Sequence, residues 1–214
     1  MSLLQPMTID YSKADDELRL FKTWFAAQTF FAESAVIQQL RCHSNLCPLL
    51  AFLGGVVKPD VHKHEFEIQG VFRADYVVGD AVAKKFVLVE FEGGDRHSIF
   101  GPKSTNQMRH WGNDLQRGFS QISDWSWAKN DNQHTRTFQN AFGCDQMQET
   151  YLLVCGKDES LSDAEKSRLL WRHDKTIISG SKILFMTYDD LVLHFEAMLD
   201  IYRSMRADVA ACAL

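Results

Sequence analysis

Residues 71–92, Val71-Phe-Arg-Ala-Asp-Tyr-Val-Val-Gly-Asp-Ala-Val-Ala-Lys-Lys-Phe-Val-Leu-Val-Glu-Phe-Glu92, decide how the fold is read. Two runs, Val71–Val78 and Phe86–Glu92, are rich in β-branched and aromatic residues, and Gly79-Asp80 begins a turn between them. In the first run Phe72, Ala74, Tyr76 and Val78 point one way, and Val71, Arg73, Asp75 and Val77 the other. In the second, Val87, Val89 and Phe91 share a face opposite Phe86, Leu88, Glu90 and Glu92. A hairpin with Asp75 opposite Glu90 leaves a turn of about four residues and sets cross-strand Cβ atoms roughly 5 Å apart. Asp75, Glu90 and Glu92 then converge.

Three carboxylates on one sheet face repel one another and resist desolvation, so the cluster is costly unless a cation neutralises it. Oxygen donors alone select a hard ion such as Mg²⁺, for which Mn²⁺ substitutes. Such an ion binds a phosphate oxygen and acidifies an attacking water, which is the chemistry of phosphodiester hydrolysis. Spacing by itself favours a plainer reading, an acidic strand edge that deters aggregation. The order of elements around the pair decides for a site.

Upstream, His64–Gln69 reads as a further strand. The segment from about Lys13 to Arg41 reads as one or two helices, with Leu18, Phe21, Phe25, Phe30, Ala35 and Ile37 at roughly helical spacing. Pro48 and Gly54-Gly55 bracket a short apolar helix around Leu49–Leu53. Downstream, a helix is predicted from about Thr105 to Lys129, interrupted near Gly112, with Leu115, Phe119, Ile122 and Trp125 on one face. Residues 130–148 read as a polar surface loop, and Tyr151–Cys155 as a strand. Ser162-Asp-Ala-Glu165 is a capping box opening a helix through Leu169 and Leu170. Lys182–Met186 is a last strand, and Thr187-Tyr-Asp-Asp190 caps a final amphipathic helix. The order is one or two helices, three strands, then helix, strand, helix, strand, helix.

This material suits one compact domain, with a helical part over residues 1–60 packed on a core formed by 61–214. A 45% hydrophobic chain with 15 Phe and 5 Trp can fill such a core, which excludes disorder and fibrous classes. Five cysteines, an odd number without CxxC spacing, argue against a zinc site and a disulfide framework, although Cys42, His43 and Cys47 lie close together. There is no signal pattern and no apolar run near the ~20 residues of a membrane helix. A reducing, cytoplasmic setting without membrane contact is expected. A net charge of −5 counts against a general nucleic-acid coating. Lys84, Lys85, Arg96, Lys103, Arg109 and Arg117 nevertheless crowd around Glu90, Glu92, Asp95 and Asp114 in sequence. They form either a basic rim or a solvated mixed surface.

The element order, with Asp75 on the second strand and Glu90-Phe-Glu92 closing the third, resembles the α/β core of the PD-(D/E)XK nuclease superfamily, a mixed sheet flanked by helices. A closer likeness runs through Leu88-Val-Glu-Phe-Glu92, Lys103-Ser104, Gly118-Phe-Ser-Gln-Ile-Ser-Asp-Trp125, Tyr151-Leu-Leu-Val-Cys-Gly156 with Leu161-Ser162, and Met186-Thr-Tyr-Asp-Asp-Leu191. In order and spacing these runs, from about Glu65 to Tyr202, are similar to the nuclease domain of the Shedu family of bacterial anti-phage defence proteins.

The resemblance implies a Mg²⁺-dependent DNA endonuclease acting in phage defence, with DNA as partner and a possible homo-oligomer as its assembly. It carries Asp75 and Glu90 over as metal ligands and Gln121 as the residue that orients the site. Glu33, in the preceding helix, is either an extra ligand or an exposed helical acid. Glu92 stands where the superfamily usually has Lys. There it serves as general base or further metal ligand, or a lysine arrives from elsewhere, with Lys103 the candidate, or catalysis has been lost. In the last case the chain is a non-catalytic module of nuclease fold that binds DNA or protein.

Overall fold

The computed structural model describes residues 3–103 and 108–212. Asp10 opens helix α1 (Tyr11–Ala26) by accepting from the Lys13 N–H at 3.1 Å. Helix α2 (Glu33–Cys42) follows, and the Pro48 segment forms a 3₁₀ helix, Cys47–Gly54. Then come β2 (Val61–Ile68), β3 (Phe72–Asp80) and β4 (Lys85–Phe91), with a two-residue strand β1 (Gln5–Pro6) beside β2. Helix α3 (Asn113–Asn132), α4 (Arg136–Phe142), β5 (Gln148–Val154), α5 (Asp163–Lys175), β6 (Ile177–Ile178), β7 (Ser181–Met186) and α6 (Tyr188–Cys212) complete the chain.

Among the described residues seven strands form one mixed sheet, in the order β1-β2-β3-β4-β5-β7-β6. Strands β1 to β4 pair antiparallel, whereas β4, β5 and β7 are parallel neighbours. Strand β4 sits in the middle and is buried on both faces, which its run Phe86-Val-Leu-Val reflects. On one face α1, α2, the 3₁₀ helix and α6 pack with Tyr76, Val78, Val87, Val89 and Phe91. On the other, α3, α4 and α5 pack with Val77, Phe86, Leu88, Tyr151 and Leu153. No described helix is long and apolar enough to cross a membrane.

Four details depart from the sequence expectations. Gly79 and Asp80 belong to β3, so the turn is residues 81–84. The helix expected from Thr105 begins at Asn113. Residues 104–107 lie outside the described residues, and 108–112 are not helical. The reason is local: Phe100 and Trp111 form an antiparallel bridge, and Gly112 lies so close to the His97 and Ser98 carbonyls that a Cβ would sit 2.3 Å from each oxygen. The expected loop at 130–148 contains α4, which Thr135 caps and Gly143 ends in the left-handed region, with Phe138 and Phe142 buried.

The fourth departure bears on the site. Alternation along β3 breaks at Asp75: Ala74 packs in the α3-side core with Phe66, while Tyr76 packs on the opposite face. Strand β2 breaks at the facing position, where Glu65 takes φ +49 and the pairing skips from His64↔Tyr76 to Phe66↔Ala74. Left-handed backbone is unfavourable for a residue with a Cβ. The Glu65 side chain is held there by Arg41 at 2.6 Å. The double break falls at Asp75, next to the end of the β3–β4 ladder.

Candidate functional site

The β3–β4 ladder runs Asp80↔Lys85 to Tyr76↔Val89, which sets Asp75 opposite Glu90, the register expected from the sequence. Past that point the ladder changes character. The Phe91 N–H donates to the Asp75 carboxylate at 2.8 Å instead of to a main-chain carbonyl. The site therefore lies at the carboxyl end of β4, where crevices of parallel α/β sheets receive ligands. The Gly156 N–H bonds the Gly93 carbonyl at 3.0 Å and ties the exits of β5 and β4 together.

Helix α3 closes over this edge. A Cβ on Gly118 would lie 2.5 Å from Leu153 Cδ1 and 3.1 Å from Glu92 Cγ, so glycine is what lets helix and sheet approach. Gly118→Val is expected to destabilise the fold by about 1–3 kcal/mol through overpacking, which thermal unfolding would show as a lowered midpoint.

Because α3 lies so close, two of its side chains meet two strand carboxylates. Gln121 Nε2 donates to Glu90 Oε1, and Arg117 Nε donates to Glu92 Oε1 at 3.1 Å while its Nη2 pairs with Oε2. The spacing explains the match: one helical turn advances about 5.4 Å and two strand residues about 6.6 Å. Arg117 also reaches Glu33 at 3.1 Å and Asp114 at 3.7 Å, so the α2 acid belongs to the same network. The Tyr188 hydroxyl donates to the Glu92 carbonyl from below.

Glu90 is the site's exception. It is 4% exposed, and its buried Oε2 has no hydrogen-bond partner among the described residues. Burial first, then the Asp75, Glu92 and Glu33 carboxylates, push its carboxyl up to about 10. Burial raises Asp75 to about 6, and it raises Glu92 to about 7 against the pull of Arg117. All three lie above ordinary carboxylate values of about 4. A raised folded value contributes stability that is complete below the unfolded value and is lost as pH rises through the folded one. In EDTA the melting temperature is therefore expected to fall from about pH 5 towards pH 10, owing to these three groups. Thermal melts in a series of buffers measure this.

Of the residues singled out in the sequence, Asp75, Glu90, Glu92 and Gln121 come together. Lys103 does not join them. It is exposed and lines a separate cleft with Met108, Arg109, Ser162, Ala164, Glu165 and Arg168. Arg117, noticed in the sequence only as one of several bases, turns out to be central. The available signal was its position four residues before Gln121, on the same helix flank. Among the described residues no group of three or more His, Cys, Asp or Glu side chains is arranged to hold a metal. Asp75 and Glu90 fit a hard cation by donor type, by mutual repulsion and by the orphaned Oε2, whereas Glu92 is engaged by Arg117.

Fold and site define a mixed α/β protein with an acid pair, Glu90 buried and Asp75 half-buried, at the carboxyl edge of its sheet. The chain belongs to the Shedu protein SduA C-terminal family, whose model matches residues 26–192, a span that holds every side chain of the site. That membership suggests a role in anti-phage defence. Comparison with curated proteins returned no match.

Proposed function

We propose that the chain is a Mg²⁺-dependent DNA endonuclease with a PD-(D/E)XK-like core, and that Asp75 and Glu90 hold the cation. The reading rests on Glu90 Oε2, a carboxylate oxygen buried near a second carboxylate and without a hydrogen-bond partner among the described residues. A buried acid left unsatisfied is costly, so it calls for a ligand or a proton. Family membership and the helix, three strands, helix, strand order support the same reading.

A bound divalent cation would supply Lewis acidity to a phosphate oxygen and lower the pKa of a water. The chain's own residues do the rest. Phe91 N–H fixes the Asp75 carboxylate, and Gln121 fixes one oxygen of Glu90 and leaves the other open to a ligand. Without a cation, Glu90 holds a proton at neutral pH. Arg117 keeps Glu92 occupied and sets a positive charge beside the acid pair, where developing negative charge on phosphorus oxygens benefits.

Supercoiled and linear DNA incubated with the protein in Mg²⁺ or Mn²⁺ tests this. Nicked or linearised product is expected with metal, and none in EDTA. DNA retention without cleavage in any metal would favour the other reading, a non-catalytic binding module, which the occupied Glu92 favours.

A further inference from the structure

The flank of α3 opposite the acid pair carries a feature that the catalytic reading does not use. Arg168 and Arg172, one turn apart on α5, lie over aromatic rings. The Arg168 guanidinium carbon is 4.7 Å from the Phe100 ring centre and 5.0 Å from that of Trp111. That of Arg172 is 4.8 Å from Trp111, 4.8 Å from Phe119 and 4.9 Å from Phe185. The rings are themselves organised, since Phe100 and Trp111 stack at 4.5 Å.

In an acidic chain, most of the cations described above are spent on carboxylates: Arg41 on Glu65, Arg109 on Glu165, Arg117 on Glu92, Lys129 on Glu149. Among the described residues Arg168 and Arg172 meet none. Arg168 gives one N–H to the Arg109 carbonyl at 2.8 Å, and Arg172 is depressed below its ordinary value by burial alone, with no acid to offset it. Rings packed around a guanidinium restrict its motion without neutralising its charge. Beside Arg168 lies a cleft of about 350 Å³ lined by Trp111, Ser167, Arg168 and Trp171, and Trp171 is 65% exposed.

We propose that this α5 face binds the phosphodiester backbone of a nucleic acid, with Arg168 and Arg172 on phosphates and the Trp171 indole open to a base. A planar guanidinium matches phosphate oxygens in a fork, and an exposed indole beside it offers a stacking surface that an acidic peptide would not use. The proposal deepens the nuclease reading by naming where substrate is held. Phe119 faces the platform, while Arg117 and Gln121, on the other flank of α3, face the acid pair. A strand crossing the exposed Gln116 and Ser120 touches both, since a helix with its side chains is only about 10 Å wide.

Fluorescence anisotropy of the full chain with labelled single-stranded and duplex DNA, read in EDTA across a salt series, tests binding apart from cleavage. Arg168→Gln/Arg172→Met, in which methionine keeps an unbranched stem among the rings, is expected to weaken binding more than about ten-fold. It should also flatten the log–log salt slope for duplex by about 2, two phosphate contacts at roughly 0.9 each. Trp171→Ala, exposed and so harmless to folding, should weaken single-strand binding at least about five-fold. Arg206→Gln, the same charge removed elsewhere, should change neither. Affinity and slope unchanged in both platform variants overturn the proposal. So does a wild-type chain that ignores DNA or prefers polyglutamate. Binding in EDTA without cleavage in Mg²⁺ overturns the nuclease reading and leaves the surface standing.

Discussion

Glu90→Gln is expected to lower DNA cleavage by about a thousand-fold or more while raising the melting temperature of the cation-free protein by about 5 °C. On the proposed function the loss follows from removing the anionic ligand assigned to the cation, since a metal's transition-state stabilisation is worth several kcal/mol and each 1.4 kcal/mol is about ten-fold in rate. The gain in stability follows from the same atom. Glu90 Oε2 is buried near Asp75 without a hydrogen-bond partner among the described residues, and its carboxyl is pushed up to about 10. An amide keeps the Oε1 acceptor for Gln121 and puts an N–H₂ donor in place of Oε2. Relieving one unsatisfied buried group is worth about 1–3 kcal/mol, and each kcal/mol shifts the midpoint of a chain this size by about 2–4 °C. Activity and stability moving in opposite directions distinguishes a functional acid from a structural one. Steady-state nicking rates and thermal melts of the same preparations measure both.

Arg117→Ala should produce the largest loss of stability among the site variants, a fall in melting temperature of about 10 °C. Glu92 has no exposed surface, and its two oxygens are satisfied by this one guanidinium. Removing one partner of a buried pair leaves an uncompensated charge, at a cost of about 3–5 kcal/mol. Arg117 itself is half exposed, so water can replace part of it, and the lower figure is expected. Glu92→Gln in the Arg117→Ala background should recover more than half of the loss, because the amide no longer needs a counter-charge. A cycle of the two single variants and the double variant reads that coupling directly. A melting temperature unchanged in Arg117→Ala would show that Glu92 is neutral without help.

Much of this site was legible in the chain because a hairpin's register follows from its turn length. Four residues between two alternating runs leave few ways to pair them, and Asp75 opposite Glu90 was one. The caps at Ser162 and Thr187 were equally legible, since each is a local exchange of hydrogen bonds within four residues. Gln121 came only from likeness to a family, because nothing local in a helix shows which strand residue it will meet. Arg117 escaped for the same reason, although the turn linking it to Gln121 was on view. The break in strand alternation at Asp75 could not be read, since it depends on Glu65 adopting a left-handed backbone without a glycine to announce it. Helix α4 was hidden by its polar surroundings. Only Phe138 and Phe142, four apart before Gly143, marked it, and their burial is tertiary: Phe142 packs on Phe66 and Phe86, and Phe138 on Phe142.

The claim that Asp75 and Glu90 form a cation-dependent phosphodiesterase centre is tested most directly by the nicking of supercoiled plasmid in Mn²⁺. Wild-type chain and Asp75→Asn are prepared identically and compared after both are shown to fold. The wild type should convert the plasmid to nicked and linear forms and stop on addition of EDTA, and Asp75→Asn should leave it supercoiled. Equal nicking by the two proteins, or none by either, would contradict it.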